Sequence, residues 1–103
     1  MSHHILIADA DETFAAMLRQ SLEEMDGTRA HVVASAREAL EAAAQSSYDL
    51  VIVDLGLPDS DPSQLVRALR QKHPHLRLMV VPLDGETAPP ELADIDLQGT
   101  LSK

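Results

Sequence analysis

The sequence predicts an α/β domain built on a parallel sheet with helices on both faces, and three observations lead there. Short, unbroken apolar runs stand at residues 5–8, 50–53 and 78–81, the pattern of strands buried on both sides. Between them apolar residues recur at helical spacing, so helices alternate with strands. Acidic residues, Asp9 and Asp54, directly follow two of the runs. In an open parallel sheet that position is the carboxyl end of a strand, where the functional crevice forms.

Ile5, Leu6, Ile7 and Ala8 make the first strand. Phe14, Met17, Leu18, Leu22 and Met25 then share the spacing of one helix face, with Asp11 or Glu12 favouring the helix N-terminus and Gly27 available as a stop. His31, Val32, Val33 and Ala34 form a weak second strand. Ser35 and Glu38 have the spacing of a capping box that opens an alanine-rich helix with Ala39, Leu40, Ala43 and Ala44 on its inner face. Leu50, Val51, Ile52 and Val53 are the strongest strand signal in the chain.

Asp61, Pro62 and Gln64 read as N-cap, first turn and N3 of a third helix, whose inner face is Leu65, Val66 and Leu69 and which ends near His73 and Pro74. Leu78 to Val81 supply a fourth strand, and Leu101 with its neighbours a brief fifth. Between Asp84 and Gly99 a Pro89-Pro90 pair, several acids and scattered apolar residues leave room only for a short or irregular fourth helix. No repeat, low-complexity tract or linker divides the 103 residues, which are one domain by length. Every crossover between parallel strands is expected to be right-handed.

Composition removes several classes of function. Phe14 and Tyr48 are the only aromatic residues, so the core is aliphatic and large stacking platforms for bases or flavins are not expected. Seventeen acidic against eight basic residues give a formal charge of −9, which repels phosphate backbones and anionic lipid and makes nucleic acid a poor direct partner. The absence of cysteine excludes disulfides, thiolate metal sites and thiol catalysis. The apolar stretch after His4 is too short for a signal-peptide core, and no later run approaches a membrane span, so the chain reads as cytoplasmic. The five histidines lack zinc-site spacing.

Four segments carry a family resemblance. Residues 5–9 (Ile5, Leu6, Ile7, Ala8, Asp9), residues 48–54 (Tyr48 to Asp54), residues 55–61 (Leu55, Gly56, Leu57, Pro58, Asp59, Ser60, Asp61) and residues 99–103 (Gly99 to Lys103) resemble the response-regulator receiver domains of two-component signalling. The resemblance extends from Ile5 to Lys103 and implies a flavodoxin-like receiver fold with a five-stranded parallel sheet in the order 2-1-3-4-5. It further implies that Asp54 is the phosphoryl acceptor, that Asp9, Asp54 and the carbonyl of Gly56 hold Mg²⁺, and that Lys103 contacts the phosphoryl group. Asp11 stands close enough in sequence to be considered as a further ligand, although a helix cap is its simpler role; Asp59 and Asp61 read as turn and cap residues.

The chemistry gives a reason for such a grouping. A carboxylate that attacks a phosphohistidine brings two anions together, and a divalent cation offsets their repulsion; Mg²⁺ favours carboxylate and phosphate oxygens. Three positions depart from the family pattern. Ala10 replaces the acid that binds the cation directly, Pro82 replaces the Thr or Ser that closes onto the phosphoryl group, and Thr100 replaces the aromatic residue that swings behind it. Magnesium binding is therefore expected to be weak. The chain stops at Lys103, and the receiver is expected to be cut before its last helix.

Two functions follow from these agreements and departures. The first is a receiver that takes a phosphoryl group on Asp54 from a histidine kinase or phosphotransfer protein and relays the signal to an effector, without being an enzyme in the usual sense. The second is a pseudo-receiver that keeps the fold and signals by protein binding alone. A homodimer is compatible with either. A flavin- or nucleotide-binding protein of the same architecture is disfavoured, because residues 9–13 are acidic where such proteins cradle phosphate with small residues.

Overall fold

The computed structural model describes residues 2–59, 61–82 and 99–100. They form β1 (His3–Ala8), α1 (Glu12–Glu23), β2 (Thr28–Val33), α2 (Ala36–Gln45), β3 (Leu50–Asp54), α3 (Pro62–Lys72), β4 (Arg77–Val81) and β5 (Gly99–Thr100). All strand pairs are parallel and the sheet order is β2-β1-β3-β4-β5, the flavodoxin-like order. The fourth-helix reading of residues 84–98 and the contribution of Leu101 to the fifth strand lie outside the described residues.

Helices cover both faces, which is why the central strands read as unbroken apolar runs. Leu6, Ala8, Val51, Val53, Leu78 and Val80 point to one side and pack on Ala36, Ala39, Ala42 and Ala43 of α2 and Leu65, Val66 and Leu69 of α3. Ile5, Ile7, Ile52 and Val81 point to the other side, against Ala15 of α1 with Phe14, Leu18 and Leu22 around it. Successive residues of a strand alternate between faces, so a sheet covered twice needs both sets to be apolar. Among the described residues no helix is long and apolar enough to cross a membrane.

The edges of the sequence reading need correction. Met17 and Met25 do not face the core: they are 63% and 53% exposed, and Ala15 takes the central inward position. At about 100° per residue Met17 is a quarter turn from Leu18, while Met25 lies beyond the helix end, where Glu24 is the C-cap. Ala44 is exposed for the same geometric reason, about 140° round the helix from buried Ala39. The second strand starts at Thr28 and stops at Val33, without Ala34. Its first half alternates buried Thr28 and Ala30 with exposed Arg29 and His31, a pattern that a search for continuous apolar runs passes over.

Local polar contacts set the ends of these elements. Gly27 has φ 80°, a left-handed conformation that costs a residue with a Cβ about 1–2 kcal/mol, and its carbonyl accepts the His3 N–H at 2.7 Å where β1 begins. Glu23 accepts the Ala30 N–H at 3.0 Å and pairs with Arg19 at 3.3 Å. The Ala30 hydrogen bond, helped by Arg19, holds the Glu23 carboxyl below its ordinary value against the opposing effect of desolvation. Just before β3, the Tyr48 ring meets that of His4 at a tilt with centroids 4.3 Å apart, and its hydroxyl lies 2.8 Å from His31 Nδ1. Burial pushes the Tyr48 phenol above its ordinary value. Arg70 Nη1 donates to the carbonyls of Pro74 and Leu76 at 2.9 and 2.6 Å, closing the turn from α3 into β4.

Candidate functional site

Strand register brings the two acids together. Ala8 of β1 pairs with Val53 of β3, so Asp9 and Asp54, each one residue further on, end neighbouring strands at the same rim of the sheet. They are 3% and 7% exposed, unusual burial for carboxylates, which are seldom enclosed without a compensating interaction. The Asp9 N–H continues the strand ladder to the Val33 carbonyl at 3.0 Å. Its Oδ1 accepts the Asp11 N–H at 2.8 Å, shaping the tight exit from β1. Asp54 Oδ1 accepts the Gly56 N–H at 3.1 Å, a local turn that fixes the carboxylate against the loop following β3.

That loop is anchored along its length. The Leu55 N–H donates to the Val81 carbonyl at 3.0 Å, while Leu55 and Leu57 are each 5% exposed and belong to the core. Gly56 sits between them and is exposed, which leaves its backbone at the rim. Asp61 caps α3 as expected, accepting the Ser63 N–H at 2.9 Å, with Pro62 in the first turn.

The structure therefore gathers Asp9, Asp54 and Gly56 at one rim, with Ala10 and Asp11 beside them. Asp11 is the N-cap of α1 and its Oδ1 accepts the Phe14 N–H at 3.1 Å. Ala10 is exposed and offers no side-chain donor. Pro82 is half-buried and follows β4 directly, at the same rim. Thr100 is described in its backbone, which pairs with Val80. Lys103 lies outside the described residues.

Asp59 has more to do than the sequence suggested. Its Oδ1 and Oδ2 accept the N–H groups of Ala36 and Arg37 at 2.9 and 3.2 Å, so the loop after β3 is tied to the first turn of α2. The Ala36 hydrogen bond, aided by that of Arg37, holds the Asp59 carboxyl below its ordinary value although desolvation opposes it. The available signal was the general shortage of acceptors at a helix start, but sequence does not say which distant carboxylate supplies them.

The donors at the rim are oxygens, which suit a hard cation and not a thiophilic one. Among the described residues no three His, Asp or Glu side chains converge as a ready-made metal cage. Two neighbouring buried carboxylates repel each other, and a cation held by them together with a backbone carbonyl and water is the arrangement this donor set fits.

Comparison with known proteins agrees with the fold. The family model described as response regulator receiver domain matches residues 5–103. The chain belongs to that family. It is 38% identical over 68 residues to the KDP operon transcriptional regulatory protein KdpE of Escherichia coli, covering 66% of this chain and 30% of that protein. Against the transcriptional regulatory protein SrrA of Staphylococcus aureus it is 30% identical over 86 residues, covering 84% of this chain and 35% of the other. The chain thus spans about a third of the length of these curated relatives. Among solved structures, a sensor protein from Polaromonas superposes with TM-score 0.80 at 34% identity, over 98% of this chain and 83% of that one. A CheY-like receiver domain from Methylobacillus flagellatus gives 0.85 at 28%, over 100% and 87%.

Proposed function

We propose that this receiver domain accepts a phosphoryl group on Asp54 from the phosphohistidine of a histidine kinase or phosphotransfer protein, and relays that event to an effector. The observation that carries the reading is the burial of Asp54 beside Asp9 at the carboxyl rim of a parallel sheet. In the transfer an Asp54 carboxylate oxygen forms a bond to phosphorus as the phosphorus–nitrogen bond to the imidazole breaks, and the imidazole leaves. Asp9, Asp54 and the Gly56 carbonyl would hold Mg²⁺, which supplies charge neutralisation between the two anions. Lys103, by its match to the family lysine, would contact the transferred phosphoryl group. The protein acts in this reading as a signalling module of the cytoplasm and not as an enzyme with turnover.

A second reading is favoured by specific residues. Exposed Ala10 withholds a cation ligand, and Pro82 after β4 has neither hydroxyl nor N–H to close on a phosphoryl oxygen. A pseudo-receiver that signals by binding alone is the consequence of weighting those positions above Asp54.

Incubation with acetyl phosphate and Mg²⁺, followed by intact-mass measurement, distinguishes the two. The proposal expects a mass gain of one phosphoryl group that Asp54→Asn abolishes, and amide shifts around Gly56 when beryllofluoride and Mg²⁺ are added. An unchanged mass and unchanged shifts at millimolar Mg²⁺ would instead assign the protein to the second reading.

A further inference from the structure

The start of α2 is capped twice, from two distant parts of the chain. The first four N–H groups of a helix have no acceptor inside the helix. Ser35 is the N-cap and its Oγ accepts the Glu38 N–H at 3.1 Å, while the Ser35 carbonyl accepts that of Ala39 at 3.0 Å. Between these, Ala36 and Arg37 donate to the two oxygens of Asp59, 23 and 22 residues further along the chain. A carboxylate there also complements the positive end of the helix dipole. Asp59 therefore reinforces from a distance a helix start that Ser35 caps locally.

What makes this more than helix capping is where Asp59 sits. It lies five positions after Asp54 and three after Gly56, on a loop whose other end is pinned by the Leu55 bond to the Val81 carbonyl. Leu57, buried between Gly56 and Asp59, leaves little freedom for one end of the loop to move without the other. The loop is therefore held between β4, where the Asp54–Gly56 turn sits, and the first turn of α2 at its other end.

We infer that Asp59 is a positioning residue for the acceptor site: by docking the loop onto the Ala36 and Arg37 amides it sets the Gly56 backbone and Asp54 carboxylate, and makes the first turn of α2 move with them. This rests on the proposed function only where it concerns the cation and the phosphoryl group; the mechanical link concerns the chain alone.

The test compares Asp59→Ala and Asp59→Asn with Ser35→Ala, which weakens the same helix end without touching the loop. In the whole chain, Mg²⁺ affinity is read by titration, and Gly56, Leu57, Ala36 and Arg37 by amide hydrogen exchange. Loss of a supporting partner behind a metal site typically costs about 10- to 100-fold in affinity. Asp59→Ala is expected to weaken Mg²⁺ binding on the order of tenfold and to speed exchange at Gly56. Asp59→Asn, which keeps one acceptor oxygen, should recover part of both and serves if the alanine variant fails to fold. Ser35→Ala should leave Gly56 and the affinity as they are in the wild type.

The inference is overturned if Asp59→Ala leaves Gly56 exchange unchanged, or if Ser35→Ala reproduces both effects, since the residue would then only stabilise α2. Wild-type protein that binds no Mg²⁺ and accepts no phosphoryl group would defeat the functional proposal by itself. The positioning role is then decided by Gly56 exchange alone.

Discussion

In the proposed cation site Ala10 is the weakest position, because it is exposed beside buried Asp9 and has no ligand atom. Restoring a carboxylate there is a direct test of the donor count: Ala10→Asp should tighten Mg²⁺ binding by about tenfold or more, measured as the midpoint of the Gly56 amide shift during titration. At the same scale, Asp59 and Glu23 both have carboxyl groups held below their ordinary values by backbone N–H groups. The unfolded chain binds the proton more readily than the folded one, so each contributes stability at neutral pH that is lost as pH falls through the depressed folded value. Denaturant midpoints followed into acid should therefore decline with pH, and the decline should be shallower in Asp59→Asn than in the wild type.

Elements in this fold are specified mainly by which stripe of each helix meets the sheet. Leu69 of α3 is fully buried in the larger core cluster, whereas Met17 of α1 is 63% exposed. Leu69→Ala should cost about 2–5 kcal/mol through lost burial and the cavity left behind, and Met17→Ala no more than about 0.5 kcal/mol, both measured by urea unfolding. The same contrast explains what could be read in advance. The central strands and the order of elements were legible because burial on both faces leaves short runs rich in β-branched residues, such as Leu50 to Val53, whereas the apolar run at residues 14–18 sits within a longer helical period. The inner face of α1 was partly misread because Met17 and Met25 are apolar by type, while the angle to Leu18 and the end of the helix decide their exposure. At the site, Asp9, Asp54 and Gly56 could be named from their places after strands and from the family resemblance. Asp59 could not, because its partners Ala36 and Arg37 donate through the backbone and leave no trace in residue identity.

For the molecule as a whole, charge is the dominant global property. A formal charge of −9 on 103 residues means that the compact state works against its own repulsion, with a screening length of about 10 Å at 0.1 M salt. Raising sodium chloride from low ionic strength should raise the melting temperature, as followed by circular dichroism; a fall would show that attractive pairs outweigh the repulsion. The exposed ion pairs Arg19–Glu23 and Arg37–Glu41 are screened by solvent and contribute little, so they should not reverse that trend.

The contact between Glu23 and the Ala30 N–H has a consequence for how copies of this domain meet. β2 is a margin of the sheet, and a bare margin invites another chain to lengthen the ladder. Glu23 occupies one rung and puts negative charge across the approach, so an incoming strand from a like-charged neighbour finds that place taken. Glu23→Ala should unguard it and favour self-association in light scattering at high protein concentration, and acid below the ordinary glutamate range should do the same to the wild type, since protonating a carboxyl held low lifts the guard without altering a single residue.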